Sequence, residues 1–228
     1  MISLCLTLAG FSAAAVQATP APQADPPPVT VLPDVEVAAR RGAARTPPQY
    51  EYDAARIEDI AEVAEVSVGT FYNYFQTKGD LLLATVTMEV EAVLEAGEAI
   101  VAAPPADVAQ ALDALIGCYY DHSLVWLTKE MWRTAMALAI QAPDTPFSRR
   151  YTELDGRLRQ QVCALLLRLQ GKGQLRADTD CTALGEMIFN NLNMMFIEFV
   201  KDDAMTPGDL RQLVGRQNGP LAAMLRMG

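Results

Sequence analysis

Between Arg56 and Lys78 the chain reads RIEDIAEVAEVSVGTFYNYFQTK. Phe71 and Phe75 stand four residues apart, so on a helix they share one face and can bury together. Turning that face inward leaves Val68, Gly69, Thr70, Tyr72, Asn73 and Tyr74 near the opposite one. Such a set suits recognition rather than reaction. The carboxamide of Asn73 can pair with a base edge, the tyrosine hydroxyls can donate to phosphate, and Lys78 is a point charge. The chain has no Gly-rich phosphate loop and no nucleophile elbow, and His122 is its only histidine. No catalytic residue, metal site or cofactor is expected, and the chain does not read as an enzyme.

The elements that must position these side chains are legible nearby. Ile57, Ile60, Ala61 and Ala64 give one short helix an apolar face, and the two alanines let a second helix cross close by. Ser67 is a good N-cap for that second helix. A positioning helix, a tight turn and a short second helix make a helix-turn-helix, which offers its second helix to the major groove.

Downstream, apolar residues recur at helical spacing, and no period-two run is sustained. Leu81, Leu82, Val86, Val90, Val93 and Leu94 make one stripe, ended by Pro104-Pro105. Val108, Leu112, Leu115, Ile116, Tyr119 and Trp126 make the next. Trp132, Met136 and Ile140 suggest a short helix closed by Pro143 and Pro146. Leu154, Leu158, Val162, Leu165, Leu166 and Leu169 follow, with Gly171 and Gly173 placed to end the helix. Asp180 should cap a run to about Val200, and a last helix should run from Pro207 to about Arg226, kinked or broken at Gly219-Pro220. From Ile188 to Val200 the polar residues are Asn190, Asn191, Asn193 and Glu198. A helix apolar nearly all round needs covering on two sides. A twofold homodimer through the helices near 181–200 and 207–226 would do this, as would full burial in a monomer.

The rest of the chain has a different character. Residues 1–24 carry no charged side chain, and an apolar run from Ile2 to Val16 ends in a signal-like Val16-Gln17-Ala18. Eight of the 14 prolines then fall between Pro20 and Pro48, which makes residues 1–48 an extended Pro-rich segment. It reads as a disordered extension, an export signal, or residues outside the functional frame. The net charge of the 228 residues is -10. Residues 46–103 carry only Arg56 and Lys78 against eleven acids, which excludes a grip on nucleic acid through bulk positive charge. The four cysteines are scattered, against a zinc site or a disulfide scaffold.

The stretch from Arg56 to Leu82, with IEDIA, VS, GTFYNYF and the lysine of QTKGDLL, resembles the tetracycline-repressor (TetR) family of transcription regulators. The resemblance extends over about residues 52–226. It implies an all-α protein, with a helix-turn-helix DNA-binding domain over 49–82 and a ligand-binding and dimerisation domain over 83–228. The partners implied are operator DNA, an apolar or amphipathic small-molecule effector and a second copy of the chain, with no membrane and a cytoplasmic location. On the family pattern Val68, Gly69, Thr70, Tyr72 and Asn73 face bases or the sugar-phosphate edge, with Ser67 at the helix start. Tyr74 and Lys78 hold phosphates, and Arg56 stands where a threonine near phosphate is usual. The implied ligand domain makes Tyr119, His122, Trp126, Trp132, Met136, Met187 and Asn190 candidates for the effector site.

Two further departures from the family pattern stand out. Pro47 and Pro48 would break the helix that normally precedes the motif, and Glu65 occupies the turn position usually held by glycine. Two other functions therefore stay open: a helical dimer that binds a ligand or protein and has lost DNA binding, and an exported helical protein.

Overall fold

The computed structural model describes residue 52 and residues 55–225. The expectations for the signal-like segment, the Pro-rich stretch and the place of a first helix lie outside the described residues. Among the described residues the fold is all-α, with eight helices. They are α1 (Ile57–Val63), α2 (Val68–Tyr74), α3 (Lys78–Ala102), α4 (Val108–His122), α5 (Lys129–Gln141), α6 (Pro146–Gly171), α7 (Cys181–Lys201) and α8 (Pro207–Leu225).

The motif folds as its sequence dictates. Glu65 takes φ +57°, the left-handed conformation for which glycine is the usual choice. Around it the N–H of Val66 donates to the carbonyl of Ala61 (2.9 Å) and that of Glu65 to Glu62 (3.0 Å), the paired bonds of a Schellman ending. Ser67 then opens α2, its Oγ accepting from the N–H of Thr70 at 3.0 Å. A reciprocal box opens α3. Thr77 Oγ1 accepts from the Asp80 N–H (3.1 Å), while Asp80 Oδ2 accepts from the Thr77 N–H (2.9 Å).

The longer helices follow the same rules. Asp107, Thr128, Thr145 and Asp180 cap α4, α5, α6 and α7. Gly173, at φ +71°, forms the left-handed turn after α6, while Gly171 is simply its last residue. Two expectations are corrected. α4 ends at His122, so Trp126 lies in the turn before α5 and is exposed (49%). α8 is continuous through Pro220. The carbonyl that Pro220 cannot bond belongs to Arg216, an exposed residue where water can replace the missing N–H.

The main core lies where α3 to α8 converge, around Leu112, Leu115, Leu165, Leu166, Leu169 and Phe199. A small second core holds Phe71, Phe75 and Ala84, with Ile57, Ile60, Leu81 and Phe147 packed on it. Phe147 also packs on the main core. α7 buries Ile188, Phe189, Leu192, Phe196 and Phe199, and leaves Met187 and Met194 more than half exposed.

Two substitutions test this architecture. A Cβ on Gly185 would lie 2.8 Å from the Cα of Cys163 on α6, where no side chain can swing aside. Gly185→Ala should therefore lower stability by about 1–3 kcal/mol in a thermal or urea melt. Glu65→Gly should raise it by about 1 kcal/mol, since the left-handed turn is then unstrained.

Candidate nucleic-acid interface and ligand cavity

Two buried rings orient α2. Phe71 and Phe75 pack with centroids 5.4 Å apart, and Phe75 meets Phe147 of α6 at 5.9 Å. With those rings inward, Val68, Gly69, Tyr72, Asn73 and Tyr74 are exposed together, with Tyr72 at 52% and Tyr74 at 42%. Tyr72 is steadied edge-on against Phe71 at 5.5 Å. Thr70 is half-buried, and its hydroxyl lies 2.8 Å from that of Ser67. Both residues thus help to form the start of α2.

The two cations of this region are placed differently. Arg56 is exposed at the N-terminus of α1, with Nε 3.4 Å from Glu58. Lys78 is half-buried. Its ammonium donates to the carbonyls of Tyr52 (2.6 Å) and Ala55 (3.1 Å) and sits 4.4 Å above the Tyr52 ring. In this structure Lys78 fastens the segment that leads into α1.

The second site is a cavity of about 90 Å³ inside the main core. α3 supplies Glu89, Val90 and Val93, and α4 supplies Tyr119 and Tyr120. Trp132 and Met136 come from α5, and Tyr151, Asp155 and Leu158 from α6. α7 closes it with Phe189, Leu192, Asn193 and Phe196. The wall's donors are largely engaged with the protein. The Tyr119 hydroxyl donates to Gln161 Oε1 (2.8 Å), the Tyr120 hydroxyl to the Leu192 carbonyl (3.2 Å), and Trp132 Nε1 to the Ser123 carbonyl (2.5 Å). Asn193 Nδ2 lies 3.5 Å from Asp155 Oδ2. Burial pushes the phenols of Tyr119, Tyr120 and Tyr151 well above their ordinary range, so all three stay protonated. Burial also raises the Asp155 carboxyl, against a lowering pull from Arg159. Glu89 is buried, with Oε1 3.6 Å from Nδ1 of His122.

Residues 36–85 match the family model described as bacterial regulatory proteins, tetR family. This segment is similar to the N-terminal domain of that family. The whole described body has a TetR-like fold, shared with solved structures of low sequence identity. A transcriptional regulator from Saccharomonospora viridis, solved in complex with choline, is 20% identical, with 86% of this chain and 96% of that one covered, at a TM-score of 0.60. The fatty acid degradation regulator FadR from Bacillus halodurans is 21% identical, covering 86% and 95%, at 0.59. FadR from Thermus thermophilus, a TetR-family repressor in complex with lauroyl-CoA, is 21% identical, covering 84% and 96%, at 0.55. The comparison with curated proteins gave no significant match.

The TetR match begins at residue 36, so it includes the Pro47-Pro48 stretch that the family pattern would fill with a first helix. Of the expected effector-site residues, Tyr119, Trp132 and Met136 line the cavity, and His122 approaches it through Glu89. Trp126, Met187 and Asn190 do not. Trp126 lies beyond the end of α4, and Met187 and Asn190 are on the outward face of α7. Glu89, Tyr151, Asp155 and Asn193 were not foreseen. The available signal was a carboxylate within an apolar stripe: Glu89 between Val86 and Val93, and Asp155 between Tyr151 and Leu158.

The raised carboxyl of Asp155 has a measurable consequence. Folding binds this proton more tightly, so its contribution to stability is present at low pH and lost as pH rises through the folded-state value. Asp155→Asn should therefore melt above wild type at neutral pH, with the gap closing as pH falls into the carboxylate range.

Proposed function

We propose that the chain is a ligand-responsive transcriptional repressor that binds operator DNA as a homodimer through α1 and α2. The observation that carries this reading is the exposed set Val68, Gly69, Tyr72, Asn73 and Tyr74 on the recognition helix of a TetR-family domain. A cavity inside the same fold supplies the effector site, as the choline and lauroyl-CoA complexes illustrate for two proteins of this architecture. The unpartnered methionines of α7, with exposed Met224 of α8, support a twofold helical interface. The DNA-binding unit is taken as residues 49–82 and the ligand and dimer domain as 83–228, joined by the unbroken α3.

Coupling between the two sites has a physical route. Tyr151 and Asp155 line the cavity from α6, and Phe147 stands one turn before Tyr151 with its ring against Phe75. A ligand that favours one setting of α6 thereby favours one setting of α2. In a dimer this changes the spacing of the two recognition helices against successive major grooves. The alternative, a ligand- or protein-binding dimer that has lost DNA binding, draws on the engaged ammonium of Lys78 and the acids Glu58, Asp59 and Glu62 on α1.

A gel shift of the purified full chain on its own upstream DNA separates the two. A salt-sensitive, sequence-dependent shift, weakened roughly tenfold by Asn73→Ala, is expected. Absence of any shift would favour the alternative. Phe147→Ala should retain DNA binding while losing most of the ligand's effect on it, and chemical crosslinking should report a dimer.

A further inference from the structure

The cavity discriminates by sign of charge. Resting on its reading as the effector site, we propose that it takes an organic cation: a compact quaternary ammonium or amine headgroup held between aromatic faces and the carboxylates of Glu89 and Asp155.

Three observations converge. First, the cavity wall holds two carboxylates, from α3 and α6, and no lysine or arginine. Two basic side chains nearby stand outside the wall. His122 reaches Glu89 from a side chain that is 41% exposed, and Arg159 acts on Asp155 from an exposed position one helical turn along. Second, the hydroxyls of Tyr119 and Tyr120 and the indole N–H of Trp132 are directed to protein acceptors. An anionic headgroup would meet two carboxylates and find these donors already engaged, so it would be desolvated without compensation. Third, the apolar wall is largely aromatic, and aromatic faces attract cations that have shed water. The burial that makes the Asp155 charge costly is offset when a positive charge arrives beside it.

Size narrows the class. A cavity of about 90 Å³ is smaller than one of about 150 Å³ that accommodates benzene, so a headgroup of a few heavy atoms fits and a larger body must extend through the opening. The shared fold does not itself choose the sign, since similar structures hold choline in one case and lauroyl-CoA in another. The side chains of this chain decide it.

The test is a titration of the purified full chain, read by calorimetry and by fluorescence of Trp132 in the cavity wall. The probes are tetramethylammonium, choline, benzyltrimethylammonium and dodecyltrimethylammonium. Each is set against a neutral or anionic counterpart, with 3,3-dimethylbutan-1-ol as the isostere of choline and laurate as the anionic chain. At least one cation should bind about tenfold more tightly than its counterpart. Glu89→Gln and Asp155→Asn should each remove most of that preference while leaving the neutral isostere within about twofold. Equal binding of choline and its isostere, tighter binding of laurate, or no binding by any cation overturns the proposal. The wild-type comparison stands even if a variant folds poorly. A cation that binds without altering the operator gel shift leaves this inference intact and removes ligand-responsive regulation. An operator released by laurate and by none of the cations does the reverse.

Discussion

The structure depends on one seam, where Phe75 of the recognition unit meets Phe147 of the body at 5.9 Å. Two helices of seven residues cannot bury enough surface to be stable alone. α1 and α2 persist because Phe71 and Phe75 have a roof, formed by Leu81 and Ala84 of α3 and by Phe147 of α6. That roof also fixes which face of α2 is outward. If the seam were lost, the recognition residues would keep their chemistry but not their direction.

α3 makes the seam consequential. It begins in the small core, where the Thr77–Asp80 box and Leu81 anchor it, and two turns later it lines the cavity with Glu89, Val90 and Val93. α6 does the same from the other side, through Phe147, Tyr151 and Asp155. Two rigid helices thus touch both sites. A packed interior has discrete arrangements rather than a continuum, so occupancy of a small cavity can select between orientations of α2.

Much of this was legible in the sequence because it is local. Ser67 and Asp180 cap where their types suggest, Phe71 and Phe75 bury as their spacing requires, and Glu65 adopts the glycine-like turn that its position demands. The cavity was only half legible. Tyr119, Trp132 and Met136 lie on inward stripes and were found, but Met187 and Asn190 lie on a helix so apolar all round that periodicity cannot tell its two faces apart. Trp126 continued the period of α4 past the end of the helix, since a periodic pattern carries no stop signal of its own. Glu89 and Asp155 were passed over because carboxylates are expected in solvent, yet their register put them on the buried face.

Those two carboxylates recast the acidity of the chain. A net charge of -10 opposes binding through bulk charge, and the recognition unit does not offset it, because Lys78 is spent on the carbonyls of Tyr52 and Ala55. On the proposed reading, sequence preference then falls to short-range base-edge and hydroxyl contacts from Tyr72, Asn73 and Tyr74, with the phosphate contacts supplying the salt dependence. The same field that slows approach to a polyanion concentrates small cations around the molecule and speeds their entry into a cavity of like sign to the field. The net charge of the chain and the two carboxylates of the cavity wall therefore act in the same direction. On the proposed function, that charge opposes the hold on DNA and favours the arrival of a cationic ligand.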